Sequence, residues 1–268
     1  MIRNILHIIV LILISVEVPA QIPMGARSVS LGMATTSLSG DDWALFSNPA
    51  NANAEELKIG FYGIRNYGIS ELTDISAVSG VPTPIGTAMA GVHRYGFDLF
   101  SETRLRFGLM QQFGDLSIGG SLNYNHLSIG NNYGSGGAFS LDVGMAAELS
   151  ERLRFGMVAV NPFGSEYKFE QEGERLFQQL AAGFSYRIEE SAMVLLDVVK
   201  DIRFPVSYRA GLEAEIIERL RGRVGVTSEP VTFSAGFGYR ASAFDVNIAI
   251  QHHQILGMSP ALDFIVVF

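Results

Sequence analysis

The sequence predicts an all-β fold: a transmembrane antiparallel up-and-down β-barrel of about fourteen strands, preceded by a small N-terminal hatch. Three observations carry this. The chain of 268 residues is 48% hydrophobic and 17% charged, whereas an ordinary soluble chain is about 25% charged. After residue 20 no apolar run approaches the roughly 18 residues that a helical span needs, and the run at 192–199 is broken by Asp197. From residue 57 onward, apolar residues alternate with small or polar ones, which conceals a lipid-facing surface from any running average.

Composition narrows the function classes. With no Cys, the chain holds neither a disulfide framework nor a Cys-based zinc site. Its 19 basic and 27 acidic residues leave a net charge of −8, which argues against a nucleic-acid partner. The mean hydropathy of +0.24 excludes intrinsic disorder.

Residues 1–20 read as a secretory signal peptide: Arg3 precedes a greasy core from Ile5 to Ile14, and Val18-Pro19-Ala20 ends in a small residue before Gln21. Residues 21–56 do not alternate and form the expected hatch. Asp41 and Asp42 are placed to cap a short helix through Trp43, Leu45 and Phe46, with Pro49 stopping it and Asn48 held extended. A fourteen-strand barrel encloses more space than wall side chains fill, so this segment is expected inside it.

The barrel then occupies 57–268. Fourteen period-two segments fall at 57–67, 72–78, 85–95, 101–113, 115–128, 136–149, 152–161, 176–187, 190–200, 205–217, 219–228, 231–241, 243–252 and 258–268. Most run 10–14 residues, the length of a tilted membrane strand rather than of a soluble one. Loss of a hairpin at the start would leave twelve. With the C-terminus periplasmic, one set of connections is tight (Gly114, Ser150-Glu151, Ala241-Ser242) except for 79–84, and the longest, 162–175, falls outside. The closing alternation Leu262, Phe264, Val266, Phe268 resembles the recognition signal of bacterial outer-membrane proteins, implying the outer-membrane assembly machinery and outer-membrane lipids as partners.

The segment before the barrel carries a family resemblance. Gly25-Ala26-Arg27, Leu31-Gly32-Met33-Ala34, Gly40-Asp41-Asp42, Ala44-Leu45-Phe46 and Asn48-Pro49-Ala50 together resemble the N-terminal signature of the FadL-type outer-membrane superfamily, nearest its PorV/PorQ-like branch. The resemblance implies a fourteen-strand barrel with a hatch whose motif residues here are Gly25, Arg27, Gly32, Asp41, Asp42, Asn48 and Pro49. It implies a passive conduit for small hydrophobic compounds or, alternatively, a non-transporting component of type IX secretion working with secretion partners. A general porin is a further alternative.

Candidate lumen residues follow from strand parity. Arg104, Arg106, Arg152, Arg154, Arg209, Glu213, Arg219, Arg221, Arg223 and Arg240 fall on polar faces, as a steering wall or as an Arg–carboxylate lattice holding the hatch through Asp41, Asp42, Glu55 and Glu56. The ninth segment is apolar on both faces, so Met193, Leu195 and Val199 line either an apolar pocket or a contact with Leu31, Met33, Leu45 and Phe46. Pro82, Pro84, Gly86 and Gly91 mark the third segment as the place to look for a lateral gap. The loop 95–100 is aromatic, as a greasy landing site or as part of the interfacial girdle. His126, His252 and His253 form no metal or catalytic constellation, and no cofactor motif occurs, so an enzyme is not expected.

Overall fold

The structure, a computed structural model, describes residues 24–52, 55–130, 134–168 and 174–268. The expected signal peptide and residues 21–23 of the expected hatch lie outside the described residues.

Fourteen antiparallel strands close a barrel. They are β1 (Lys58–Arg65), β2 (Thr73–Thr83), β3 (Gly86–Phe97), β4 (Phe100–Phe113), β5 (Leu116–Ile129), β6 (Gly134–Glu148), β7 (Leu153–Val160), β10 (Gln179–Glu189), β11 (Ala192–Asp201), β12 (Ser207–Ile217), β13 (Leu220–Ser228), β14 (Val231–Arg240), β15 (Phe244–His253) and β16 (Gly257–Val267). Between β7 and β10 a two-residue ladder pairs β8 (Glu166–Tyr167) with β9 (Glu174–Arg175). Each barrel strand pairs with its sequence neighbour, and β1 closes on β16 with Tyr62 opposite Asp263. Closure removes the sheet's free edges along most of the wall, the exception being Gly134–Leu141, where β6 runs on beyond the end of β7.

Alternation settles which side each residue takes. Along β14, Thr232, Ser234 and Gly236 are buried while Val231, Phe233, Ala235 and Phe237 are exposed. The large exposed side chains, such as Phe61, Phe107, Phe139 and Leu262, therefore form an apolar outer belt, as a lipid-facing wall requires.

One end of the barrel carries tight turns and the other carries the longer connections. The expected loop at 79–84 is corrected: β2 runs on to Thr83, Pro82 lies in register opposite Thr87, and the turn is Pro84-Ile85. Proline is tolerated there because it stands at the strand's last turn, where the ladder ends. The eighth expected segment begins late, at Gln179, because Leu176 and Phe177 turn into the barrel instead. Arg152 and Arg219, expected on the lumen wall, sit exposed in turns, Arg219 with a left-handed φ of 69°.

Candidate functional site in the barrel bore

The bore is occupied by residues 24–52. Helix α1 (Ala26–Ser30) is buried along its whole length. Gly25 precedes it with φ 96°, and a Cβ there would overlap the Trp43 ring. Two single-turn 3-10 helices follow, Ala44–Phe46 and Pro49–Asn51. Asp41 shapes the first: its Oδ1 accepts from Trp43 N at 3.0 Å and its Oδ2 from Ser47 Oγ at 3.0 Å. Burial pushes the Asp41 carboxyl up to about 6, against the pull of the Arg27 charge and these hydrogen bonds. Asn48 is extended, as expected, and its Oδ1 accepts from Ala50 N at 3.1 Å. Pro49 opens the second turn as well as ending the first, since the initial helical position needs no amide donor.

Polar anchors tie this segment to the wall. Asp263 on β16 accepts from Ala26 N at 2.7 Å. Asp197 on β11 accepts from Thr36 N at 2.9 Å and Thr36 Oγ1 at 2.7 Å. Arg27 grips Glu213 of β12 with two bonds of 2.9 and 2.8 Å. Glu213 also receives Arg223 at 2.5 Å and lies 3.6 Å from Arg221. Asn247 links Arg223 to Asp263, with 2.7 Å on each side. Arg106 reaches from β4 to Leu45 O at 3.0 Å and to Asp142 at 3.2 Å, and lies over the Phe46 ring at 5.2 Å. Arg209 donates to Met33 O at 3.2 Å.

These anchors mostly reverse the expected polarity. Wall carboxylates hold segment amides and Arg27, while Asp42 pairs with Lys58 at 2.7 Å rather than with an arginine. Glu55 and Glu56 are exposed and make no ion pair among the described residues. Arg104 grips Glu102 on its own strand with two bonds of 2.8 Å and does not reach the segment.

Backbone contact is closer still. At Gly119, Gly144, Gly156, Gly211 and Gly225, on five different strands, an added methyl group would overlap Pro49, Asn48, Thr36, Leu31 and Gly32 respectively. Gly32 reciprocates: with φ 62°, its own Cβ would lie 2.6 Å from Val226 N. Strand alternation turns these glycines to the inner face. The sequence held no local signal for which of them meet the segment, because the contact is between residues more than a hundred positions apart in most cases.

The apolar side chains of the ninth segment do not leave an open pocket. Leu195 is fully buried against Leu31, Ala34 and Leu38, with Met193 packed alongside. Val199 joins a second cluster with Val158, Val160, Ala181 and Phe177 of the long connection. From that connection Tyr167 also turns inward, donating to Glu102 Oε1 at 2.6 Å, and it packs with Leu127, Ala138 and Leu176. Recesses between segment and wall include two of about 20 Å³, one bounded by Asp42, Lys58 and Met89, the other by Thr36, Phe46 and Arg209. Each holds about one water molecule.

The suggested lateral gap is not formed: β2–β3 and β3–β4 pair without a register shift. The shifts in the barrel fall instead at Arg187/Glu189 and Glu215/Ile217. In the 95–100 loop, Tyr95 and Phe100 meet edge to face, leaving Phe97 and Leu99 exposed. His253 Nδ1 accepts from Ile255 N and Leu256 N at 3.2 Å, a turn-shaping role, while His126 stacks on Tyr124. No metal-binding cluster occurs among the described residues. The bonded His93–Asp74–Asn66 cluster at the long-loop end escaped sequence reasoning, because parity alone does not pair residues across three elements.

Fold and bore together define a class: a closed fourteen-strand antiparallel membrane barrel filled by its own N-terminal segment. Solved structures share this fold. The CymD monoaromatic hydrocarbon channel aligns with a TM-score of 0.68 at 13% identity, covering 92% of this chain and 98% of that one. The Pseudomonas putida toluene transporter TodX aligns at 0.63 and 12%, covering 91% and 96%. A Pseudomonas aeruginosa FadL homologue aligns at 0.58 and 9%, covering 92% and 98%. At these identities the likeness is one of fold alone. No protein-family model matches the chain, and no curated protein matches it significantly.

Proposed function

We propose that this protein is an outer-membrane barrel that passes small hydrophobic compounds, with residues 24–52 as its plug. The observation that separates it from a general porin is the packing in the bore, where Trp43, Leu45, Phe46, Met89 and Met110 share one apolar cluster. A general porin works through a wet continuous pore, and this packing is unsuited to one. The fold shared with hydrocarbon channels supports the same reading. In this reading the tight-turn end, where both β1 and the C-terminal strand meet the rim, faces the periplasm, and no chemical step is catalysed.

The test is uptake of a labelled monoaromatic hydrocarbon and of a labelled fatty acid across lipopolysaccharide-containing vesicles. The reading expects faster entry of at least one of them with the protein present. Equal entry with and without it would remove the transport reading.

A second reading, a non-transporting PorV/PorQ-like component of type IX secretion, is favoured by one observation. Large apolar side chains are exposed on the long connections, with Phe163 at 79% and Ile255 at 87%. A secretion partner captured by the wild-type protein and lost on Phe163→Ser would favour it.

A further inference from the structure

The charges on the outer face of the barrel strands are few and one-sided. Arg65 on β1, Arg94 on β3 and Lys200 on β11 are exposed and each stands next to a buried residue, so all three point outward. All three lie at the long-loop rim. On the strands the outward acid is Glu189, at the opposite rim beyond the β10 bulge, while the exposed Glu71 of the β1–β2 connection carries its charge within electrostatic reach of Arg65. This distribution occurs in a chain whose net charge is −8, so it is no reflection of overall composition.

The cations also sit at a defined height. From Gly86 to Arg94, and from Ala192 to Lys200, the wall runs eight residues. On strands tilted by about 40° this rises about 20 Å, close to the roughly 25 Å apolar band of a membrane barrel. The three cations therefore stand at the headgroup boundary of one leaflet.

Two of them are neighbours. Arg94 lies opposite Ile75, Ile75 opposite Gly63, and Arg65 opposite Thr73. They are two strands and two residues apart, about 12 Å between backbones, a gap that two long side chains close onto one headgroup. Beneath them the outer face is low: Ala77, Ser79, Ala88 and Ala90 offer small side chains where neighbouring strands carry Phe61 and Phe107. Guanidinium groups favour phosphate through paired, planar hydrogen bonds.

We propose that Arg65 and Arg94 form a lipid site that holds the phosphorylated headgroup of a membrane lipid at the long-loop rim, with an acyl chain lying in the shallow Ala77–Ala90 depression. The site rests on the membrane-barrel reading and goes beyond the transport reading. It also sets the long-loop end in the leaflet that carries phosphorylated lipid.

The test reconstitutes the full-length protein in phosphatidylcholine vesicles doped with a bisphosphorylated glycolipid or its dephosphorylated form, and counts retained glycolipid by native mass spectrometry. Heat-modifiable migration on a gel checks that each variant has inserted as a barrel. Wild-type protein should retain the phosphorylated form preferentially, without competition from inorganic phosphate. Arg65→Gln with Arg94→Gln should lower that preference by about thirtyfold, the effect of two basic residues near an anionic surface, and Lys200→Gln should leave it nearly unchanged. Equal retention of the two glycolipids, or equal loss in Lys200→Gln, overturns the site. A wild-type protein that never gives a heat-modifiable band overturns the membrane reading itself.

Discussion

Gly156 and Gly225 matter because of what lies against them, the backbones of Thr36 and Gly32. A methyl group at both positions has nowhere to go unless the segment lifts from the wall. In detergent, trypsin should then cleave after Arg27 in Gly156→Ala/Gly225→Ala, whereas the buried Arg27 of the wild-type protein should resist. A folded double variant that still resists cleavage would show that the wall yields instead. Glu213 is the matching polar case, since one carboxylate neutralises both Arg27 and Arg223 in a nearly water-free site. Glu213→Gln leaves buried cations under-compensated and should cost about 3–5 kcal/mol, read as a lowered thermal midpoint in detergent. Leu195→Ala, which empties the contact with Leu31 and Leu38, should cost about 2–5 kcal/mol in the same assay.

At the scale of elements, the strands were legible because their signal is local. Each needs only an apolar residue at every second position, and Leu116, Ile118, Leu122 and Tyr124 announce β5 without reference to any other part of the chain. Where prolines and glycines interrupt that signal, at Pro82 and Pro84, the sequence suggested a loop although the ladder continues to Thr83. The seating of the N-terminal segment was less legible for the opposite reason. Nothing near Asp263 and Asp197 in sequence identifies Ala26 and Thr36 as their partners. Once seated, the segment should behave as part of the wall. The amides of Val29, Leu31 and Thr36, all hydrogen-bonded, should exchange with deuterium as slowly as those of β13 and β14. Exchange within seconds would mean that the segment leaves its seat on its own.

At the scale of the molecule, the apolar half of the composition is divided between two surfaces. Alternation sends Phe61, Phe107 and Leu262 outward, while inside the bore Trp43 and Leu45 pack in one cluster and Leu195 in another. The inward arginines that suggested a steering wall are largely spent on neighbouring carboxylates, as Arg104 on Glu102 and Arg106 on Asp142. Between segment and wall, two recesses each have room for about one water molecule. The central claim is therefore that this barrel is sealed to ions by its own N-terminal segment. Single-channel recording of the purified protein in planar bilayers tests it most directly. Barrels that are shown to be inserted should leave the bilayer silent. Stepwise, ohmic conductance from the wild-type protein would contradict it.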